Sequence, residues 1–238
     1  MLDRFPLLDR ELTRSAKRGS LLALRFSVLA IGVLALMFAG AGDAFEMMQA
    51  VSRNIIALCL VFQFAFAMVL PPFLMAGAIA GEKEDRTLEL LLMADFRGTD
   101  VYFAKFAGGV VPAVTLILSA LPLYAVSAFF GGSDVPRMAV VTVLAVALAL
   151  ANGGITLFCS AKCETGSQAL FLSFFFNILW LMVGIPIPVL SLHPMRAAGA
   201  ITFGQGEILS TVPALLTSAG LIAFTYMATV KLLFPMNK

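Results

Sequence analysis

Stretches 54–81, 106–133, 138–161, 165–195 and 208–230 carry no Asp, Glu, Lys or Arg. A helix crossing the roughly 30 Å hydrocarbon layer of a bilayer takes about 20 mostly apolar residues, and each of these stretches is long enough. A sixth, 26–42, reaches that length once the apolar residues 21–24 are added and Arg25 snorkels from near the helix end. Barrel strands are about ten residues long and alternate in polarity, which these runs do not. The chain is 61% hydrophobic and 13% charged, where a soluble domain has roughly 45–50% and about 25%. The expectation is an all-α polytopic membrane protein in a single transmembrane domain, 1–238. Six spans are placed near 21–41, 54–80, 104–130, 138–160, 167–191 and 208–231.

Charge sets the orientation. With six spans both termini lie on one side, and that side receives every Lys and Arg of the 16 except Arg25, Arg53, Arg137 and Arg196. Basic residues accumulate in cytoplasmic loops, so both termini are expected in the cytoplasm of an inner or cytoplasmic membrane. The first apolar run is too long for the core of a signal peptide and has no small-x-small cleavage site after it, so no cleaved leader is expected. Residues 1–19 read as an amphipathic interfacial helix. Leu7, Leu8 and Leu12 line one face and Arg10, Arg14, Lys17 and Arg18 the others.

Cys59, Cys159 and Cys163 lie in or at the ends of spans and read as small hydrophobes; no nearby ligands converge on the last two. Prolines Pro71, Pro72, Pro112, Pro122, Pro186 and Pro188 are candidate helix bends, because each removes a backbone donor; neighbouring helices in a membrane can also absorb them. Asn54, Gln63, Asn152 and Asn177 are the polar residues able to line a path. After the fifth run comes "HPMRAAGAITFGQGE", apolar enough to rest at the interface, with Pro194 suited to a first helical turn. The one histidine, His193, reads as an interfacial residue rather than a ligand or base.

Between the second and third runs lies the polar segment "GEKEDRTLELLLMADFRGTD", residues 81–100. It is no phosphate loop: "GAIAGEK" has the wrong spacing between its glycines and ends a membrane helix. Gly77 and Gly81 instead form a small-x-x-x-small pair suited to helix packing. Glu82, Glu84, Asp85 and Glu89 sit among basic residues that would pair them, unlike an acid/base dyad. No catalytic triad or zinc motif occurs elsewhere, and no nucleic-acid partner is implied. Thr87 can cap a short helix with Glu89 in its first turn, and Leu88, Leu91 and Leu92 then share one face. Gly98 supplies a break, and Thr99 or Asp100 a cap for the next helix. An exposed apolar face rimmed by charge marks a docking site; the alternative is that this face rests on the membrane or on the protein itself.

The string "IAGEKEDRTLELLL" followed by "DVYFAKFAGGV" resembles the characteristic stretch of ABC-2-type transporter permeases. In that family an acidic residue closes the second span, a Thr-Leu-Glu-Leu-Leu run forms a coupling helix, and a lysine opens the third span. Glu82, residues 87–92 and Lys105 match those places in order. "GITLFCSAKCETGSQA" is similar to the family's junction between spans four and five, where a serine closes one helix. "IPIPVLSLHPMRA" is similar to the end of its fifth span. The resemblance implies a membrane permease, most often an exporter, paired with a second copy or a paralogue in the lipid bilayer. A separate ABC ATP-binding subunit would dock on the coupling helix through Leu88, Leu91 and Leu92, with Glu82, Glu84, Arg86, Thr87 and Glu89 fixing its orientation. The chain would hold no cofactor and have no enzymatic activity of its own; ATP and Mg would belong to the ATPase partner. The alternatives are a polytopic scaffold or assembly factor that recruits a cytoplasmic partner through the same face, and a secondary carrier.

Overall fold

A computed structural model of the chain describes residues 45–87, 98–129, 135–184, 193–202 and 211–233, together with Thr13 and Ala30, both helical. Eight helices follow one another in these segments: α1 Phe45–Met75, α2 Gly77–Glu84, α3 Gly98–Leu118, α4 Leu121–Phe129, α5 Val135–Lys162, α6 Gly166–Gly184, α7 Pro194–Thr202 and α8 Val212–Leu233. No strand occurs among the described residues. Among the described residues, four helical stretches are long and apolar enough to cross a membrane: Ile56–Glu84, Thr99–Ala125, Val135–Lys162 and Val212–Leu233. A shorter apolar helix, Gly166–Met182, falls where the fifth span is predicted. Apart from Thr13 and Ala30, the expected amphipathic helix 1–19 and first span 21–41 lie outside the described residues.

α5 is the central element, packed against α8, α1, α7, α6, α3 and α2. Between membrane helices the hydrophobic effect offers no drive, so close packing and interhelical hydrogen bonds hold the bundle together. The sequence Asn152-Gly153-Gly154 supplies both in one turn. A Cβ on Gly153 would stand 2.6 Å from Val110 of α3, and one on Gly154 2.5 Å from the Thr225 hydroxyl of α8, so any larger residue would force a neighbour to shift at these crossings. Leu144, Leu148 and Ala149 of α5 meet Phe64 of α1, Ile117 of α3 and Ile201 of α7 in the main core cluster. The outward faces are greasy: Val61 is 66%, Phe73 62% and Phe171 77% exposed, a surface suited to lipid and unsuited to water.

The prolines explain much of the wiring. Pro71 has no N–H, so the carbonyl of Ala67 one turn earlier loses its helical partner; the buried Asn152 side chain donates to it at 3.0 Å. The α1 helix continues through Pro71 and Pro72 and turns only at Ala76, whose N–H reaches the Pro72 carbonyl at 3.0 Å. Pro112 lies inside α3, which runs on to Leu118. The next interruption is at Ser119 and Ala120, just before Pro122 in the first turn of α4. There the Ile117 carbonyl accepts from Gln63 of α1 at 3.0 Å, and the Gln63 amide oxygen accepts from the Tyr124 hydroxyl of α4 at 2.8 Å. Pro186 and Pro188 lie outside the described residues. Asn177 donates to the Ser173 carbonyl of its own helix at 2.9 Å. Gln63, Asn152 and Asn177 thus join helices or tie down their own turn, each at most 1% exposed; the Asn54 side chain lies outside the description.

Candidate functional site

α2 ends the second predicted span and leads into the charged segment. Its last turn closes in a Schellman arrangement: the Arg86 N–H donates to the Lys83 carbonyl at 3.1 Å and the Thr87 N–H to the Glu82 carbonyl at 2.8 Å. That geometry puts Arg86 in the left-handed region, φ 56°, a place glycine usually takes. The Thr87 hydroxyl donates back to the Glu82 carbonyl at 3.3 Å, which ties Thr87 to the end of α2. Leu88, Glu89, Leu91 and Leu92 lie outside the described residues. On the far side of the segment Gly98 is the first residue of α3 rather than a break before it. Asp100 falls in the first turn, where its charge suits the helix dipole.

The three residues before that turn each hold a different helix. Glu82 forms an ion pair with Lys105 of α3; the two side chains are 24% and 7% exposed. The ammonium of Lys83 donates to the Ala161 carbonyl and, at 3.2 Å, to the Cys163 carbonyl, where α5 ends. Glu84 accepts the Gly166 N–H at 3.4 Å, at the start of α6. The signs follow the helix dipoles, a cation at the C-terminus of α5 and an anion at the N-terminus of α6. A fourth link lies one turn earlier, where the break at Ala76 leaves the first N–H groups of α2 short of helical partners. The buried Ser160 hydroxyl of α5 accepts from the N–H groups of Ile79 and Ala80, both at 3.0 Å. α6 closes in on the same place, its Gly166 packing so that a Cβ would stand 3.5 Å from the Gly77 backbone.

Glu82 and Glu84, expected to orient a partner, are thus engaged with helices of this chain, while Glu84, Asp85, Arg86 and Thr87 remain exposed. The expectation that basic neighbours pair the carboxylates holds for Glu82, although the cation comes from α3 and not from the segment itself. A Cβ on Gly77 or Gly81 would meet nothing within 4 Å. Of the small-residue pair, only Gly77 lies at a close helix approach, through its backbone against Gly166. The bracing roles of Lys83 and Ser160 are the part that sequence reasoning missed. A lysine at a helix end and a serine one turn from another end give a signal only when the two helices are known to meet.

At the opposite end of α5, His193 departs from the interfacial reading. It is fully buried, its Nδ1 accepts the Met195 N–H at 3.2 Å at the start of α7, and its ring lies 4.8 Å from Trp180. Pro194 is the first residue of α7, as its missing donor suits. No cluster of three or more His, Cys, Asp or Glu side chains able to hold a metal occurs among the described residues, and all three cysteines are free thiols. No protein-family model matches the chain, and no curated protein matches it either.

Proposed function

We propose that this chain is the membrane-spanning permease subunit of an ATP-driven ABC transporter of the exporter type. In this reading it has six spans, cytoplasmic termini and a separate ATP-binding subunit docked on residues 87–92. A second permease copy or paralogue completes the pathway. The observation that carries the reading is the set of braces at residues 82–84. The charged segment leaves α2 at the point where consecutive side chains grip α3, α5 and α6. A push delivered to that segment moves α2, and α2 cannot move without loading the three helices it holds. A loop fixed only by its own backbone would not transmit such a load. The alternative of a secondary carrier loses support, since Gln63, Asn152 and Asn177 are engaged with helix carbonyls. Intramembrane charges of the kind that ion-coupled carriers use are scarce here.

The test is affinity purification of the tagged chain from its native membrane in mild detergent, beside the Leu88→Asp, Leu91→Asp double variant. A stoichiometric ATP-binding protein, lost by the variant while membrane insertion persists, is the expected result. ATP-driven transport should fail with the single Leu91→Asp change. Recovery of a cytoplasmic partner that binds no ATP would favour the scaffold reading. Transport that collapses with the proton gradient and ignores ATP would favour a carrier.

A further inference from the structure

α5 and α8 run in the same direction: Gly154 lies against Thr225, and Leu157 and Ala161 share a cluster with Leu233. Beside this pair α6 stands slightly apart, and the three helices enclose a groove of about 340 Å³. Its walls include Ile155 and Phe158 of α5, Phe176 and Trp180 of α6, and Leu221 and Phe224 of α8. The one hydroxyl in the wall, that of Thr225, donates to the Leu221 and Ile222 carbonyls of its own helix and leaves nothing polar to receive a ligand. The groove is open toward the membrane, with Phe224 65% and Phe176 38% exposed.

Two lysines stand toward one mouth. Ile155, Phe158 and Lys162 are three and four residues apart and so share one stripe of α5; the Lys162 ammonium lies 5.8 Å from the centre of the Phe158 ring. Phe224 and Lys231 are seven apart on α8 and share a stripe in the same way. Lys162 ends α5 and Lys231 lies in the last turn of α8, so both ammonium groups stand at the same end of the groove. Both are exposed, and neither has a carboxylate partner among the described residues. An apolar slot with two lysines beyond one mouth, neither paired with a carboxylate among the described residues, is complementary to a hydrocarbon chain bearing an anionic head.

We propose that the groove between α5, α6 and α8 binds an anionic phospholipid, with an acyl chain along Phe158, Trp180 and Phe224 and the headgroup phosphate held by Lys162 and Lys231. This does not rest on the transporter reading and survives its failure. Trp180 is the one tryptophan of the chain and lies in the groove wall, so its fluorescence reports occupancy directly.

The experiment reconstitutes the full chain in phosphatidylcholine bilayers and titrates in lipid brominated on its acyl chains, as phosphatidylglycerol or as phosphatidylcholine. Bromine quenches tryptophan on contact. Brominated phosphatidylglycerol is expected to quench Trp180 at a far lower mole fraction, each lysine contributing about fivefold. The Lys162→Gln, Lys231→Gln double variant should quench alike with both lipids while its emission in unbrominated bilayers matches the parent. Equal quenching of the parent by both lipids would reduce the groove to ordinary bilayer contact and overturn the proposal. A preference kept by the double variant would also overturn it. So would a preference abolished by inorganic phosphate, which would assign the lysines to a soluble anion. Quenching that fades as protein density rises would give the groove to a second copy.

Discussion

At the basic end of the bundle, helix termini are met by charge: Lys83 at the carbonyls that close α5, Glu84 at the first N–H of α6, and Glu82 against Lys105. At the other end of α5, the first turn of α7 is met by the neutral ring nitrogen of a buried histidine. Between them, inside the bundle, the carbonyl that Pro71 frees is met by the amide of Asn152, and the Ile117 carbonyl at the interruption before α4 by the amide of Gln63. The difference follows from the medium. A full charge deep in hydrocarbon costs several kcal/mol, so the interior uses neutral donors, whereas near the headgroups the same joints can use ions. Charged joints also respond to a charged partner, which neutral ones do not.

The sharpest way to break this comparison is to put charge on the neutral end. Burial lowers the His193 imidazole from 6.5 to about 4. Protonation would remove the Nδ1 lone pair that accepts the Met195 N–H and set a cation at a helix N-terminus. Because the folded state binds the proton less readily than the unfolded chain, this contribution is complete above about pH 6.5 and is lost as pH falls toward about 4. It amounts to about 3 kcal/mol across that window. Thermal unfolding in mild detergent at pH 7 and pH 4.5 measures the loss. His193→Asn keeps a capping acceptor without a titrating group, and the excess acid sensitivity should vanish with it. An equal loss in both proteins would mean that the imidazole is not the neutral cap.

The charged end should fail by losing one partner, not by losing both. Lys105→Met leaves Glu82 with neither its cation nor full access to water, and we expect a cost of about 2 kcal/mol. That is below the 3–5 kcal/mol of a fully buried pair because Glu82 still touches solvent. The double change Glu82→Leu, Lys105→Met should recover most of that stability and still lose ATP-driven transport if the pair carries force. If the double variant melts no later than Lys105→Met, the ion pair is not what holds α2 to α3. Inside the bundle the expected effect is smaller, about 1 kcal/mol for Asn152→Leu, in keeping with interhelical hydrogen bonds in membranes. It should shrink toward zero when Pro71→Ala restores a backbone N–H for the Ala67 carbonyl. Additive losses in the two backgrounds would separate Asn152 from the proline.

What the sequence made legible follows the same division. Long uncharged runs report the medium, so the helical class and the helices over 56–84, 135–162 and 212–233 lie where hydropathy puts them. Proline reports a freed carbonyl but not its new partner. Pro71 and Pro72 are read from the chain, whereas Asn152, 81 residues after Pro71, is not, and the helix turns at Ala76 and not at the prolines themselves. Charge in the segment 82–86 reads as the rim of a docking face, its carboxylates paired by basic neighbours within the segment. Its real partners at Lys105, at the end of α5 and at the start of α6 come from elsewhere in the chain. His193 beside proline reads as a residue at a span end, and only the packing of α6 against it shows that it is sealed from water.

Arg86 tests the charged end at its smallest scale. At φ 56° an L-residue brings its Cβ close to the following carbonyl oxygen, a strain that glycine lacks. Glycine in turn loses more freedom on folding, which offsets part of the gain. Arg86→Gly should therefore stabilise the chain by about 0.5 kcal/mol, near the limit of a thermal melt, and Arg86→Ala should not. The exposed guanidinium adds a second readout, since both variants remove it while only one relieves the turn. If both lose the ATP-binding partner, Arg86 is held in that strained position for the sake of a contact. If both keep it, the arginine serves the turn alone, and the proposed docking falls to residues 88–92.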